Sequence, residues 1–128
     1  MALIEVRLSA PLISIIDDDG SMLLALAGLL RSFGFAVEAY STAEAFLKSG
    51  TRDRSDCIIT DIQMPGLSGI ELKQWLDAHA NATPVIMITA RLEAHLHAQA
   101  LASGAICLLR KPFDSAALLA SLERARIT

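Results

Sequence analysis
The sequence predicts an α/β protein built as one doubly wound parallel sheet with five strands and five helices, the helices lying on both faces. Two observations predict it. Five short apolar runs alternate with five segments of helical character along the chain. Polar and charged residues stand at or just past the carboxyl ends of four of those runs, whereas the runs themselves are almost wholly apolar.

The runs are LISII (12–16), FAVEAY (35–40), CIIT (57–60), VIMIT (85–89) and AICLL (105–109), rich in Ile, Val and Leu as parallel strands buried on both faces are. Helix candidates lie near 21–33, 42–49, 69–79, 91–102 and 115–126. Ser41 with Glu44, and Ser68 with Glu71, have the Ser-x-x-Glu spacing of capping boxes, and Asp114 can cap the last helix. Gly34 and Gly104 stand where the first and fourth helices should stop and a left-handed residue is wanted.

The 128 residues suit a single domain over 11–126, with an N-terminal leader at 1–10 and a tail at 127–128. Although 53% of the residues are hydrophobic, the longest apolar or glycine run, Met22 to Leu30, is about half a membrane span, so the chain reads as soluble. The leader MALIEVRLSA carries Glu5 and Arg7 inside its apolar part, unlike a cleaved signal peptide, so a cytoplasmic location is expected. Cys57 and Cys107 sit within apolar runs and fit that compartment as reduced core residues. A net charge of -3 without a Lys/Arg block argues against direct nucleic-acid binding by this chain.

In doubly wound sheets the functional site lies beyond the carboxyl ends of the strands, near the switch in strand order. Asp17, Asp18 and Asp19 follow the first run, Asp61 the third and Lys111 the fifth, while Thr89 ends the fourth. Each alone has a plain reading: an aspartate there often caps a helix, Asp61 in TDIQMPGLSG can start a turn, Thr89 can be an ordinary strand residue and Lys111 a solvated one. Their convergence on one rim is what points to a site. Carboxylates gathered within about 4 Å repel one another by on the order of 4 kcal/mol per pair at an effective dielectric near 20. A cation must therefore enter, or one carboxylate must be protonated. Oxygen ligands without nearby His or Cys favour a hard ion, and room for water and phosphate oxygens favours Mg2+. Two acidic ligands and Asp61 bring about -3, and Mg2+ with Lys111 about +3, so the pocket can accept an added phosphoryl group.

The segments IIDDDGS, TDIQMPGLSG, MITA and RKPF, in this order and spacing between Leu12 and about Arg124, resemble the receiver domain of bacterial two-component response regulators. GFAVEAYSTAEAFL further resembles receivers that carry a helix-turn-helix output domain. The resemblance implies a flavodoxin-like sheet of strand order 2-1-3-4-5. It implies a signalling switch rather than an enzyme, with Asp61 taking a phosphoryl group from a sensor histidine kinase or histidine phosphotransfer protein. Asp18 would bind Mg2+ directly and Asp17 chiefly through water, with Asp61 and the main-chain carbonyl of Gln63 completing the set. Lys111, before a cis bond to Pro112, would hold a phosphate oxygen. Thr89 would turn toward the phosphoryl group, helped by the amide of Ala90. Gly66 and Gly69 would let the loop after Asp61 bend, with Pro65 fixing one dihedral. Asp19 then becomes a neighbour that leads into the helix, the other register being Asp18 and Asp19 as the metal pair.

Three positions bear on how far the family pattern carries over. Leu108 stands where many receivers have an aromatic residue that swings inward with the threonine, so the Thr89 and Leu108 switch would work through a smaller packing shift. Gln63 and Arg91, two residues after Asp61 and Thr89, stand where residues flank the path of attacking water in receivers, and a guanidinium there can pair with phosphate or acidic groups, so the acyl-phosphate lifetime does not follow from the family average. The start MALIEV and the lack of a linker after Arg124 favour a stand-alone receiver, acting on a target protein, over one cut from a longer regulator with an output domain; a homodimer stays open. The competing readings are a non-phosphorylated binding module, opposed by the intact Asp61, Thr89 and Lys111, and an aspartyl-phosphate phosphohydrolase, opposed by Gln63 where a second acid would stand. No Gly-x-Gly-x-x-Gly follows the first run, against a nucleotide or flavin site.

In the first helix, Met22, Leu23, Leu26, Leu29, Leu30 and Phe33 cover more than one buried stripe needs, which means either deep burial or an apolar patch for a kinase helix bundle. His95 and His97 fall on different faces of their helix and read as surface residues, and Trp75 reads as a packing anchor.

Overall fold
The computed structural model describes residues 10–91 and 93–127, so most of the expected leader and the end of the tail lie outside the described residues. Strands β1 (Leu12–Ile16), β2 (Ala36–Tyr40), β3 (Cys57–Asp61), β4 (Val85–Thr89) and β5 (Cys107–Arg110) alternate with helices α1 (Gly20–Ser32), α2 (Ala43–Lys48), α3 (Gly69–Ala78), α4 (Ala94–Ala102) and α5 (Ser115–Arg124). The strands pair in parallel in the order β2-β1-β3-β4-β5. Chain order reverses between β1 and β3, where Ile16 pairs with Thr60, so Asp17 and Asp61 emerge side by side.

The period-two alternation of each strand divides the core into two layers. Ile13, Ile15, Ile59 and Ile88 pack with Leu26 and Leu30 of α1 and Leu118 and Leu122 of α5. Ile16, Ile58 and Met87 pack with Phe46 of α2, Leu72 and Leu76 of α3 and Ala100 of α4. Burial on both faces holds for β1, β3 and β4 but not for β2 and β5, because they are the sheet's edges: Glu38 and Arg110 are exposed there. The fifth strand also starts later than the apolar run, since Gly104 at φ 92° turns the chain and Ala105 and Ile106 lead it back to the sheet.

Local signals hold unevenly. Ser68 and Glu71 form a reciprocal capping box, Asp114 caps α5, and Gly34 has the positive φ its position demands, 97°. Ser41 and Glu44 do not form a box. Helix α2 begins one residue later, Thr42 accepts the hydrogen bond from the Ala45 amide at 3.0 Å, and Glu44 is turned elsewhere. Helix α4 likewise starts at Ala94 rather than 91, leaving Arg91 in the preceding loop. Trp75 is half-buried, with His79 stacked on it at 3.6 Å between ring centroids and the Arg52 guanidinium 5.1 Å away. Both His95 and His97 are exposed. Cys57 and Cys107 are free and buried, and burial, with the charge of Cys107 adding, pushes the Cys57 thiol up to about 12. Among the described residues no helix is long and apolar enough to cross a membrane.

Two glycines make a test of this packing. A Cβ on Gly69 would lie 2.4 Å from the main-chain oxygen of Asp61, which cannot swing away as a side chain can, so Gly69 serves close approach rather than a bend. Gly28, exposed in the middle of α1, has open space around it. Urea unfolding should therefore show Gly69→Ala destabilised by about 1–3 kcal/mol and Gly28→Ala stabilised by about 0.5–1 kcal/mol.

Candidate functional site
The three consecutive aspartates are separated by what each one bonds. Asp17 is 1% exposed. Its amide donates to the Tyr40 carbonyl at 3.1 Å, Oδ1 accepts from the Asp19 amide at 3.0 Å, and Oδ2 accepts from Lys111 Nζ at 2.8 Å. Asp19 spends its carboxylate as the N-cap of α1, with Oδ1 accepting from the amides of Ser21 at 3.0 Å and Met22 at 3.3 Å. Asp18, exposed between them, is left facing the rim.

Asp61 ends β3 and is 8% exposed. One carboxylate oxygen from each of Asp17, Asp18 and Asp61 lies within 4.8 Å of the others, which favours the Asp17 and Asp18 register over Asp18 and Asp19. Lys111 Nζ reaches Asp61 Oδ2 at 3.7 Å as well as Asp17, one ammonium between two buried carboxylates. Burial pushes the Asp61 carboxyl up to about 6; the Asp17 charge adds to this, Lys111 opposes it, and Asp18 adds a little more. For Lys111, burial alone would lower the ammonium, but the hydrogen bond to Asp17 and the charges of Asp61, Asp17 and Asp19 together hold it above its ordinary value.

The donor set fits a hard divalent cation. Three carboxylates against one ammonium leave a net negative rim, all its donors are oxygen, and neither His nor Cys belongs to the cluster.

Thr89 ends β4, buried, with Oγ1 accepting from the Arg91 amide at 3.0 Å. Ala90 beside it is exposed, as is Gln63 in the loop after Asp61. The Lys111–Pro112 bond is cis, and the Lys111 amide donates to the Thr89 carbonyl at 2.8 Å, which ties the lysine's backbone to the threonine's. Half-buried Leu108 and Thr89 border a cavity of about 200 Å³ also lined by Arg91, Glu93, His97 and Arg110. The Arg91 guanidinium is held by Glu93 at 3.0 Å, and Glu93 also meets His95 at 3.3 Å. One contact at the rim was hidden by the sequence pattern: Glu44 Oε2 accepts from the Leu67 amide at 3.1 Å, in the loop after Asp61. The capping-box spacing had suggested another partner, and only the fold brings residues 23 apart in sequence together.

A model of the response regulator receiver domain family matches residues 13–123. Transcriptional regulatory protein FixJ of Azorhizobium caulinodans is 41% identical over 111 residues, covering 87% of this chain and 53% of FixJ. Response regulator protein TodT of Pseudomonas putida is 34% identical over 116 residues, covering 91% of this chain and 51% of TodT. The crystal structure of FixJ-N superposes with a TM-score of 0.84 at 32% identity, covering 91% of this chain and 94% of that one. The chain thus spans about half the length of the curated relatives it matches. Sheet order, acidic rim and sequence similarity together lead to one conclusion: this chain belongs to the response regulator receiver domain family.

Proposed function
We propose that Asp61 is the phosphoacceptor of a two-component signalling switch. The observation that carries this reading is the rim itself: a buried Asp61 beside Asp17 and Asp18, with the Lys111 ammonium 3.7 Å away. Asp61 attacks phosphorus in line; its Oδ–P bond forms as the bond from phosphorus to a phosphohistidine nitrogen breaks, and the imidazole leaves. Phosphorylation-based switching of this kind is standard for the family. A carboxylate meets an anionic phosphoryl group only if the charge between them is neutralised. Mg2+, when bound, supplies part of that neutralisation on the phosphoryl oxygens. Asp17, Asp18, Asp61 and the Gln63 main-chain carbonyl would hold it, while Lys111 takes a phosphoryl oxygen.

Thr89 and the Ala90 amide complete the phosphoryl pocket. To turn inward, the Thr89 hydroxyl gives up the hydrogen bond from the Arg91 amide. Leu108 can follow into the cavity it borders with Thr89, a small packing shift in place of an aromatic swing.

The phosphodonor is a sensor histidine kinase or histidine phosphotransfer protein that docks on α1. Leu24 is 79% exposed there, and Met22, Ala25, Leu26, Leu29, Pro112 and Phe113 line an apolar groove next to Lys111. The output is a helix-turn-helix domain or a separate target protein, in keeping with relatives about twice as long and described as regulators. The free, buried cysteines fit the reducing cytoplasm.

Three measurements test this reading. Intact mass after incubation with Mg2+ and acetyl phosphate should show one phosphoryl group on the wild type, none on Asp61→Asn and none when EDTA replaces Mg2+; an unmodified wild type would mean a binding module instead. Leu24→Ser should slow phosphotransfer from the cognate histidine by about fivefold or more, the effect of losing ~1 kcal/mol at an interface, while labelling by acetyl phosphate stays unchanged. The third concerns pH. Because the Asp61 carboxyl is raised from 3.8 to about 6 in the fold, its ionisation weakens folding: the penalty is absent below 3.8, grows with pH and is complete above about 6. In EDTA, Asp61→Asn should therefore gain about 1–2 kcal/mol over the wild type at pH 8, discounted for the rim's contact with water, and this part of the gain should vanish near pH 3.

A further inference from the structure
We propose that Glu44 is a positioning residue for the Asp61 site, a latch on the loop between β3 and α3. Glu44 lies in the first turn of α2, half-buried, and its Oε2 accepts from the Leu67 amide at 3.1 Å. Gly66, the residue before, has φ 78°, and a Cβ built on it would stand 2.2 Å from the same oxygen. The carboxylate thus occupies the space where a side chain at 66 would be, and the corner's shape and its latch specify each other. Glu44 Oε1 is buried too, without a hydrogen-bond partner among the described residues. A carboxylate held this way serves the one bond that Oε2 makes.

The loop has few other restraints. Its start is tied by the Ile62 amide to the Ile88 carbonyl at 2.9 Å, and its end by the Gly69 amide to the Ile62 carbonyl at 2.8 Å and by the Ser68 capping box. Met64 is buried, whereas Gln63, Pro65 and Gly66 are exposed. Beside the packing of Met64 and Leu67 against the core, the Glu44 bond holds the far corner, and through the four peptide units between Gln63 and Leu67 it bears on where the Gln63 main chain stands beside Asp61. Such a contact tunes metal affinity without touching the metal.

This inference rests on the rim being a Mg2+ site, and its test separates the two. Amide NMR of the full chain, titrated with Mg2+ alone, gives the affinity and the exchange rate of the Leu67 amide for wild type, Glu44→Gln, Glu44→Asp and Glu44→Ala. Glu44→Gln keeps an oxygen of the same reach and should match the wild type in both readings. Glu44→Asp keeps the charge but is one methylene too short, so it and Glu44→Ala should bind Mg2+ about tenfold more weakly and exchange the Leu67 amide faster. Wild-type affinity in Glu44→Asp, or weak binding in Glu44→Gln, would show that charge or nothing at all is at work, and would overturn the latch. If Glu44→Ala does not fold, the Gln and Asp pair still decides. A wild type without Mg2+-dependent shifts would overturn the site reading and the latch together.

Discussion
One ammonium holds the rim together. Lys111 reaches across from beyond β5, an edge strand, to Asp17 at 2.8 Å and Asp61 at 3.7 Å, carboxylates delivered by two strands nearer the middle of the sheet. Strands in a sheet lie about 4.8 Å apart, so only a long side chain on a suitably turned loop can span that gap. Without it, two buried negative charges would face each other with no compensation, a situation costlier than either burial alone. The remaining features follow from this need: strand order puts the ends side by side, the Asp19 amide takes the second oxygen of Asp17, and the tie from the Lys111 amide to the Thr89 carbonyl sets the lysine's starting point.

Even so, the balance is incomplete. With Lys111 in place the Asp61 carboxyl is still pushed up to about 6, because burial and the Asp17 charge outweigh it. The fold thus keeps an acidic surplus at the rim, and functional sites commonly lie where local stability has been given up. A bound cation would offset that surplus, which is the charge balance that the proposed phosphoryl transfer to Asp61 requires.

What could be read from the sequence was whatever depends on neighbours in the chain. Strand positions, the Ser68 and Asp114 caps, and the turn at Gly34 are set by propensity and hydrogen bonds a few residues long, and they stand within a residue or two of expectation. The rim was legible for a different reason: strand-end positions converge in any doubly wound sheet, whatever the loops do. Contacts made by loops across the fold were not legible. Asp17 and Lys111 are 94 positions apart, and their bond was inferred only as charge balance, without a geometry. Glu44 had a plausible local partner in Ser41, and its real one is a main-chain amide, which carries no side-chain signal at all. Likewise the exposed leucine of α1 proved to be Leu24, because the helix phase that buries Leu26 and Leu30 turns that position outward.

The burial of the two cysteines bears on their chemistry. Both lie under the sheet in the α1 and α5 layer, and burial, which pushes the Cys57 thiol up to about 12, disfavours its reactive thiolate. Oxidants, alkylating agents and soft metals therefore meet this sulfur only when the layer opens. Cys57 opens β3 and Asp61 closes it, so the length of one strand separates this sulfur from the acidic rim.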